Sequence, residues 1–360
     1  MHPRFNTFLP IWRLKRLWHD RAALAELARH EMESPCSKLF GLQERLDCWI
    51  HGFLSESRLI YDFENNPRRD YLTDYARYTK ADINGIYTSL LSNKVMFDAI
   101  MRPFRASLPK LHAIQFGKRL IRIAPEPGPL SWHDVLQLCR SGNNLVLKPQ
   151  DGGGGKGIKV ITSAGGELHL NGIPLHSSAI VSELEGLKGY IVQELLEQAE
   201  YAQRIQPQTT NTIRILTMWD DKAGEPFAVA AIHRFGSIRS HPVDNWTQGG
   251  LSAAIDLQTG EMSMAVSYPS KGALEWHEKH PDTGEFIAGV KIPNWHDILR
   301  RLLDIARVYP YLRYVGWDIM LDTRNELKII EGNHRSDVNL IQVHTPLLRD
   351  PRVREFYRQN

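Results

Sequence analysis

The sequence is poor in cysteine and contains no long apolar run. Its three cysteines, Cys36, Cys48 and Cys139, show no Cys-x-x-Cys spacing, which argues against a disulfide framework or a structural zinc site and favours a reducing compartment. No apolar stretch approaches the roughly 20 residues that cross a bilayer, and the amino-terminal stretch lacks a signal-peptide pattern. We therefore expect a cytoplasmic protein without a transmembrane segment.

A large charge excess, internal repeats and low-complexity segments are also missing. The 44 Lys and Arg residues balance 41 Asp and Glu to a net charge of +3, with both signs interspersed, so nothing predicts a nucleic-acid partner. The 26 glycines and 20 prolines are ordinary proportions, which argues against long disorder or fibrous structure. What is present is a 360-residue chain that is 42% hydrophobic, enough for a large core and about two or three domains.

Residues 1–105 have a mostly helical pattern. Between Ile11 and Leu27, apolar residues recur at near-helical spacing among basic ones, which predicts a basic amphipathic helix. We expect this helix to pack its apolar stripe on the protein itself; peripheral contact with an anionic membrane is the alternative. Further helical stretches are predicted near 37–53 and from Leu90 to Ile100.

The pattern then changes to short strands separated by turns. Ser131 with Asp134 predicts a capped helix that stops near Gly142, and a second capped helix is predicted from Asn294. Strands are predicted over 145–149, 158–161, 167–170, 190–194, 212–217, 227–232 and 251–256, with a final hairpin over 315–321 and 326–331. Together these elements predict an α+β protein with antiparallel sheets rather than alternating β-α-β units.

The most conspicuous motif is a glycine-rich loop over 151–157, which contains Lys156 and follows a predicted strand that carries Lys148. Consecutive glycines let backbone N–H groups turn toward an anion, and the two lysines add positive charge, so the motif predicts a triphosphate site. A dinucleotide loop would lead into a helix, a P-loop would have Ser or Thr in place of Gly157, and a protein kinase has its glycine loop before the strand lysine. We expect a glycine hairpin that closes over a nucleotide as a lid; a flexible surface turn is the alternative.

Two acids and an amide near the carboxyl end form a second constellation. In the predicted hairpin a turn over 322–325 places Asp318 opposite Ile329, so that Asp318 and Glu331 share one face. Both carboxylates and the amide oxygen of Asn333 then reach one hard cation, and an all-oxygen set suits Mg²⁺. Solvent-facing acids are the alternative, although apolar neighbours would make burial without a cation costly.

Weaker signals come from three other segments. A strand ends in Gln193, Glu194, Leu195, Leu196 and Glu197, where backbone groups can meet an adenine ring and a carboxylate can accept from a ribose. Arg214 lies on a predicted strand, where it either grips a phosphate or substrate carboxylate or forms a surface ion pair. Polar or glycine residues that we expect to face a substrate are Arg234, Asp244, Asn245, Gly249, Gly250, His334 and Arg335.

These features follow one order along the chain: Lys94, Lys148, the glycine loop, an acid-rich strand end, Arg214, Asp318, then Glu331 with Asn333. That order resembles the ATP-grasp superfamily over about residues 70–345. The segments Leu147-Lys148-Pro149, Asn211-Thr-Ile-Arg214 and Gly316-Trp317-Asp318 resemble its sugar-transfer-associated branch, found among polysaccharide-building systems.

The resemblance implies an ATP-grasp fold, in which two α+β lobes with antiparallel sheets grip ATP, preceded here by a helical region. It implies a helical region over 1–105 that can include part of the first lobe, a first lobe with the lid over 106–190, and a second lobe with the magnesium site over 191–360. The residue roles that it implies are ATP phosphate binding for Lys94 and Lys148; a phosphate lid of Gly152, Gly153, Gly154, Gly155, Lys156 and Gly157; an adenine hinge over 193–196 with Glu197 on the ribose; Mg²⁺ ligation by Asp318, Glu331 and Asn333; and Arg214 near the γ-phosphate.

The resemblance further implies an ATP-dependent, ADP-forming carboxylate-amine ligase that works through an acyl phosphate. Its small-molecule substrates would be a carboxylate and an amine, with a sugar acid, peptide, glycan or sugar nucleotide among them. A kinase of a sugar or small alcohol, with His241, His334 or Asp337 as base, is one alternative. A non-catalytic nucleotide-binding scaffold of a glycan assembly is the other, although the retained lysines and cation ligands speak against it.

Overall fold

The computed structural model describes residues 20–80, 82–123 and 126–360. The predicted basic helix lies largely outside the described residues, and its described part begins helix α1, Arg21–Glu33. Contacts divide the chain into two compact units: the first is the part up to Ile83 with Pro269–Leu274 and Thr345–Asn360, and the second is Asn84–Tyr268 with Glu275–His344. Among the described residues, no helix combines the length and apolar character needed to cross a membrane.

The first unit is helical, which confirms the expected helical amino-terminal region. Its helices are α1, α2 (Leu42–Ile50), α3 (Ser57–Ile60), α4 (Asp74–Thr79) and a carboxyl-terminal helix, Pro351–Gln359, with single-turn 3₁₀ segments at Ser37–Leu39, Arg68–Asp70 and Leu347–Arg349. Tyr61 and Tyr71 stack with ring centroids 4.4 Å apart. The buried Glu31 carboxylate accepts from the Ser55 backbone nitrogen at 2.9 Å and hydroxyl at 2.6 Å, which offsets its burial.

The helical stretch expected from Leu90 to Ile100 is two helices rather than one. Helices α5 (Ser89–Ser92) and α6 (Lys94–Ile100) are separated by Asn93, whose backbone is extended and whose side chain accepts from the amides of Val95 and Met96. An asparagine that caps the next helix competes with continuous helix formation. The break places Lys94 at the first position of α6.

The first sheet of the second unit has eight strands within residues 111–194, all paired antiparallel. They are β1 (Leu111–Phe116), β2 (Arg119–Arg122), β3 (Gly128–Leu130), β4 (Leu145–Pro149), β5 (Lys159–Ala164), β6 (Glu167–Leu170), β7 (Ile173–Pro174) and β8 (Tyr190–Glu194), in the order β3-β2-β1-β8-β4-β5-β6-β7. Helices α7 (Trp132–Arg140) and α8 (Ser177–Glu185) share a buried apolar cluster with it. The capping box of Ser131 and Asp134 is present at the start of α7, as predicted.

The second sheet has seven strands within residues 213–333, again antiparallel. They are β9 (Ile213–Asp220), β10 (Glu225–Phe235), β11 (Leu251–Ile255), β12 (Met262–Ser267), β13 (Trp276–His277), β14 (Tyr314–Leu321) and β15 (Leu327–Asn333), in the order β13-β12-β11-β10-β9-β14-β15. The short helices α9 (Glu200–Ile205) and α11 (Asn339–Gln342) flank the longer α10 (Trp295–Val308) in the chain. The two antiparallel sheets confirm the α+β prediction, and the predicted lobe limits stay predictions.

Alternation along the central strands separates a core face from a polar face. Val315, Trp317, Ile319 and Leu321 of β14 join the apolar cluster that includes α10, so Asp318 points to the opposite face. Helix α10 forms where it was predicted, but the predicted side-chain cap is wrong: Asn294 has φ +54° and makes no capping hydrogen bond. Asparagine tolerates this left-handed conformation better than other non-glycine residues.

The predicted register of the last hairpin is also wrong. Leu321 pairs with Leu327, Ile319 with Ile329 and Asp318 with Glu331, with a bulge at Ile330. Without the bulge, strict alternation would turn Glu331 to the core face on which Ile329 is buried. The extra residue therefore brings Glu331 directly opposite Asp318 on the polar face.

Candidate functional site

A cavity of about 430 Å³ in the second unit is lined by residues of both sheets. Predicted residues on its wall are Lys94, Lys148, Gly152, Gly153, Gly154, Gly155, Lys156, Glu194, Leu195, Leu196, Arg214, Arg234, Asp244, Asn245, Asp318, Glu331, Asn333 and Arg335. Lys94 and Asp318, which are 224 positions apart in the chain, thus line the same cavity. Gly157, Gln193, Glu197, Gly249, Gly250 and His334 are not among the described residues that line it.

Four charged side chains form a row across the polar face of the second sheet. Glu331 on β15 pairs with Asp318 on β14, and Asp318 pairs with Arg214 on β9. The backbone nitrogen of Arg234 on β10 donates to the carbonyl of Thr212, just before β9, at 2.8 Å. Residues that face each other across strands share one side of a sheet, so the four side chains lie on one face, with the two carboxylates on β15 and β14 and the two arginines on β9 and β10.

Arg214 and Asp318 form a buried bidentate ion pair. The Nε and Nη2 atoms of Arg214 donate to the two carboxylate oxygens of Asp318, the second bond at 2.9 Å, and Nη1 donates to Ser336 Oγ at 3.1 Å. Although burial opposes ionisation of Asp318, Arg214 and then Arg234 hold the pKa of this carboxyl below its ordinary value. Burial also opposes the charge of Arg214, but the Asp318 carboxylate raises the pKa of the guanidinium. Both groups are therefore charged at neutral pH.

Arg234 is the second guanidinium on Asp318. Its Nη2 donates to Asp318 Oδ2 at 3.1 Å and also to Thr212 Oγ1, and its Nε donates to the same hydroxyl at 3.0 Å. Asp244 accepts from the Thr212 amide at 2.9 Å and hydroxyl at 2.6 Å, and it lies 3.5 Å from Arg234 Nε. Thr212 and Asp244 thereby fix the orientation of the Arg234 side chain.

Glu331 and Asn333 complete the acidic end of the row. The amide nitrogen of Asn333 lies 3.4 Å from Asp318 Oδ2 and 3.4 Å from Glu331 Oε1, so the three side chains reach a common point. Glu331 Oε2 is also 3.8 Å from Lys94 Nζ. Among the described residues, no three His, Cys, Asp or Glu side chains form a metal-binding group; the predicted cation set consists of two carboxylates and an amide.

Lys148 on β4 reaches the cavity from the opposite sheet. Its side chain is half-buried, and burial lowers the pKa of its ammonium group to about 8, with Glu331 acting in the opposite direction. The described residues provide it with no hydrogen bond or close ion pair. A strand lysine whose positive charge has no close carboxylate partner is suited to bind an anionic ligand.

The glycine loop joins β4 to β5 as the predicted hairpin. Gly152, Gly154, Gly155 and Gly157 have φ of +102°, +69°, +74° and +74°, a conformation that side chains other than glycine seldom adopt. A Cβ on Gly155 would lie 2.5 Å from Val243 Cγ1. The carbonyl of Gly154 accepts from Asn245 Nδ2 at 3.3 Å and Gln248 Nε2 at 3.4 Å, so the loop tip contacts the segment over 243–248.

The base of the glycine loop is attached to the start of α6. Asn93 Nδ2 donates to Asp151 Oδ1 at 2.9 Å, the Lys94 amide donates to the Gln150 carbonyl at 2.8 Å, and Lys94 Nζ donates to the Gly152 carbonyl at 2.8 Å. Asn93 and Asp151 were not predicted as site residues. The one sequence signal for Asn93 is that asparagine is a preferred N-cap residue, so that a helix can begin directly after it.

The end of β8 and apolar residues from both sheets form another wall of the cavity. The amides of Glu194 and Leu195 donate to the carbonyls of Lys110 and Asn144 at 2.9 and 2.8 Å, and within the described residues the Leu196 amide has no hydrogen-bond partner. Glu197 is exposed and Gln193 is buried. The apolar wall, which sequence reasoning missed, contains Val146, Ile158, Val160, Met320 and Ile330.

Gly249 and Gly250 have structural roles beside the cavity. A Cβ on Gly250 would lie 2.9 Å from the carbonyl oxygens of Phe235, Asp244 and Asn245, and Gly249 has φ +107°. These glycines allow the segment that carries Asp244 and Asn245 to turn back into β11. Sequence reasoning also missed Thr212, because its role depends on the pairing of β9 with β10.

Solved structures with similar folds share little sequence with this chain. N5-carboxyaminoimidazole ribonucleotide synthetase in an ADP complex has 10% identity and a TM-score of 0.36, over 70% of this chain and 46% of that one. D-alanine–D-alanine ligase from Bacillus anthracis has 13% identity and a TM-score of 0.38, over 75% and 68%. Biotin carboxylase from Campylobacter jejuni has 13% identity and a TM-score of 0.38, over 74% and 46%. The chain thus spans about half the length of the first and third of these proteins.

Sequence comparison assigns the family. No curated protein matches the chain, but the model of the family described as sugar-transfer-associated ATP-grasp matches residues 75–353. This match covers most of the 360 residues and confirms the resemblance drawn from the motifs. The chain belongs to the sugar-transfer-associated ATP-grasp family.

Proposed function

We propose that the protein is an ATP-dependent ligase that joins a carboxylate to an amine through an acyl phosphate. The observation that carries this proposal is the presence of Lys94, Lys148, the glycine loop and the acids Asp318 and Glu331 on one cavity wall. Cations, turned backbone amides and paired carboxylates are the groups that a magnesium-bound triphosphate requires.

ATP would bind with its base against the apolar wall. The Leu196 amide, which has no partner within the described residues, lies beside this wall and can donate to a ring nitrogen, while Val146, Val160 and Met320 offer apolar contact. The triphosphate would then extend toward Lys148, Lys94 and the glycine loop. Lys94 would exchange its bond to the Gly152 carbonyl for a phosphate oxygen.

Asp318, Glu331 and Asn333 fit a magnesium ion by donor chemistry and by proximity. All three can supply oxygen ligands, and one amide nitrogen lies within 3.4 Å of both carboxylates. Mg²⁺, when bound, would neutralise phosphate oxygens of the nucleotide. The two arginines on Asp318 limit how many of its lone pairs remain for the metal.

In the proposed reaction a substrate carboxylate oxygen bonds to the γ-phosphorus while the bond from that phosphorus to the bridging oxygen of ADP breaks. An amine then bonds to the acyl carbon, loses a proton, and displaces phosphate. The protein contributes mainly by positioning and by charge neutralisation, because phosphoryl transfer needs little covalent help. We propose a sugar acid, amino sugar, peptide or glycan as substrate, and the family description, sugar-transfer-associated, supports the sugar-containing members of this set.

A hydroxylamine trap tests the proposal. Protein, ATP and Mg²⁺ are incubated with pooled small carboxylates, with and without hydroxylamine, and ADP and hydroxamate are measured. A ligase gives both products, whereas a kinase gives ADP and a phosphorylated alcohol but no hydroxamate. A nucleotide-binding scaffold gives no substrate-stimulated ADP. The last two results would each contradict the proposal.

A further inference from the structure

The two arginines of the site differ in how many of their side-chain nitrogens donate hydrogen bonds to the protein. Arg214 is buried, and each of its three side-chain nitrogens donates to a protein oxygen, two to Asp318 and one to Ser336. A Cβ on the neighbouring Gly316 would lie 3.3 Å from Arg214 Cδ, so the side chain is packed closely against this glycine. These contacts suit a side chain whose role is to hold Asp318 in place.

Arg234 is arranged differently. Its Nε and Nη2 donate to Thr212 and Asp318, while Nη1 has no hydrogen-bond partner in the described part of the chain. The side chain is half-buried and lines the cavity. One edge of the guanidinium is therefore fixed by the protein, and one terminal nitrogen with two N–H donors is left for a ligand.

If the nucleotide base lies at the apolar wall, the order of the groups across the sheet puts Arg234 at the phosphate end of the nucleotide. Met320 and Ile330 of the apolar wall belong to β14 and β15, as do the two acids Asp318 and Glu331. Arg234 is on β10, two strands away from β14 and beyond β9. A nucleotide whose base lies at the apolar wall and whose phosphates pass the acids ends near Arg234.

We propose that Arg234 contacts the transferring phosphoryl group through Nη1, and that Arg214 acts as a positioning residue that holds Asp318. This assignment rests on the proposed ligase function and deepens it. As the carboxylate oxygen bonds to phosphorus and the bond to ADP breaks, two anions approach each other. A guanidinium that is already oriented by Thr212 and Asp244 neutralises that charge without reorganising.

The first test compares a nucleotide with a γ-phosphate to one without it. Wild-type protein should bind the β,γ-imido analogue of ATP more tightly than ADP in the presence of Mg²⁺, as measured by calorimetry. Arg234→Gln should weaken binding of the analogue by about 10-fold or more and weaken ADP binding much less, since a charged hydrogen bond to the γ-phosphate is lost while Arg214 still holds both carboxylate oxygens of Asp318. Arg214→Gln should weaken both nucleotides together, because Asp318 loses its support.

The kinetic readout is carboxylate-dependent ADP release with hydroxylamine present. Arg234→Gln should lower kcat by roughly 100-fold or more while KM for ATP changes much less, since the contact is strongest during transfer. Equal loss of ADP and analogue affinity in Arg234→Gln, or an unchanged kcat, would overturn the assignment in favour of a purely structural role.

Chemical rescue separates the two arginines further. Guanidinium ion at millimolar concentration should restore part of the activity of Arg234→Ala, because the missing group faced the cavity. It should not restore Arg214→Ala, whose site is enclosed by Asp318, Ser336 and the sheet. Rescue of Arg214→Ala alone would exchange the two roles and contradict the proposal. Wild-type protein that binds neither nucleotide would refute the proposed function itself, and with it this inference.

Discussion

Asp318 and Glu331 are direct cross-strand partners because one extra residue, Ile330, is bulged out of β15. The bulge lets Ile329 stay in the core while both Ile330 and Glu331 reach the cavity. One irregularity thus supplies an apolar contact and an acid to the same site. Bulges commonly re-aim side chains in this way near functional sites.

We expect Glu331→Gln to abolish magnesium-dependent turnover without unfolding the protein. The change removes one of two negative charges that face a common point with Asn333, so apparent Mg²⁺ affinity should fall by about 10-fold or more. The measurement is ADP formation and nucleotide binding during a Mg²⁺ titration, with circular dichroism as a check on folding. Glu326→Gln is the matched control, because Glu326 is in the same hairpin but is exposed and pairs with Arg301 at 2.8 Å. Equal effects of the two substitutions would contradict the magnesium assignment.

Local patterns predicted both hairpins, but they did not predict the register of the acid hairpin. The strand, loop and strand around Gly152–Gly157 are contiguous, so composition and alternation suffice to predict them. In the second case Ile329 and Ile330 are both apolar, and the pattern cannot tell which one enters the core. Ile329 enters the apolar cluster that includes residues of α10, on the core face of the sheet. Ile330 is therefore bulged out, and the register differs from the predicted one.

Replacing Asp318 should destabilise the protein as well as inactivate it. Asp318→Asn leaves the charges of Arg214 and Arg234 without their common partner in a buried site, and breaking a buried pair in this way costs about 3 to 5 kcal/mol. Asp221→Asn is the control, because its pair with Arg313 at 2.6 Å is partly exposed and should contribute only about 0 to 1 kcal/mol. Urea unfolding of both variants measures the difference. A loss from Asp318→Asn no larger than that from Asp221→Asn would show that the buried pair does not stabilise the fold.

The pH dependence of ATP binding should report Lys148. Its pKa is about 8 without ligand, chiefly because burial lowers it, whereas phosphate favours the protonated form. Binding therefore raises this pKa, and ATP affinity should fall as pH rises above about 8. At pH 8 about half a proton should be taken up per nucleotide bound, measured by calorimetry in buffers of different ionisation enthalpy. Lys148→Arg keeps the charge and should abolish the uptake, and a wild-type signal independent of buffer would contradict the prediction.

The arginine and threonine network could not be found from sequence alone. Arg234 and Thr212 are 22 positions apart, and nothing in either segment indicates that β9 and β10 pair in the register that joins them. Arg214 lines the cavity, and its partner Asp318 comes from a strand 104 positions later. Sequence order therefore identified the charged groups, while the sheet determined which of them neutralise one another.

The glycine loop gives a prediction with an internal control. Gly155 has φ +74°, and a Cβ there would lie 2.5 Å from Val243 Cγ1, whereas a Cβ on Gly153 would meet no atom within 4 Å. Gly155→Ala should therefore hold the loop away from the segment over 243–248 and raise KM for ATP by roughly 10-fold, about the effect of 1 to 2 kcal/mol of backbone strain. Gly153→Ala should change KM by less than about 2-fold, because it introduces neither a clash nor a left-handed residue.

Steric and conformational effects of the Gly155 substitution can be separated with a second variant. Val243→Ala removes the methyl groups nearest the new Cβ, so the double variant Gly155→Ala/Val243→Ala should recover part of the lost ATP affinity. The recovered part measures the clash with Val243, and the remaining deficit measures the cost of a positive φ for alanine. If Gly155→Ala and Gly153→Ala behaved alike, contact between the loop tip and Val243 would have no role in nucleotide binding.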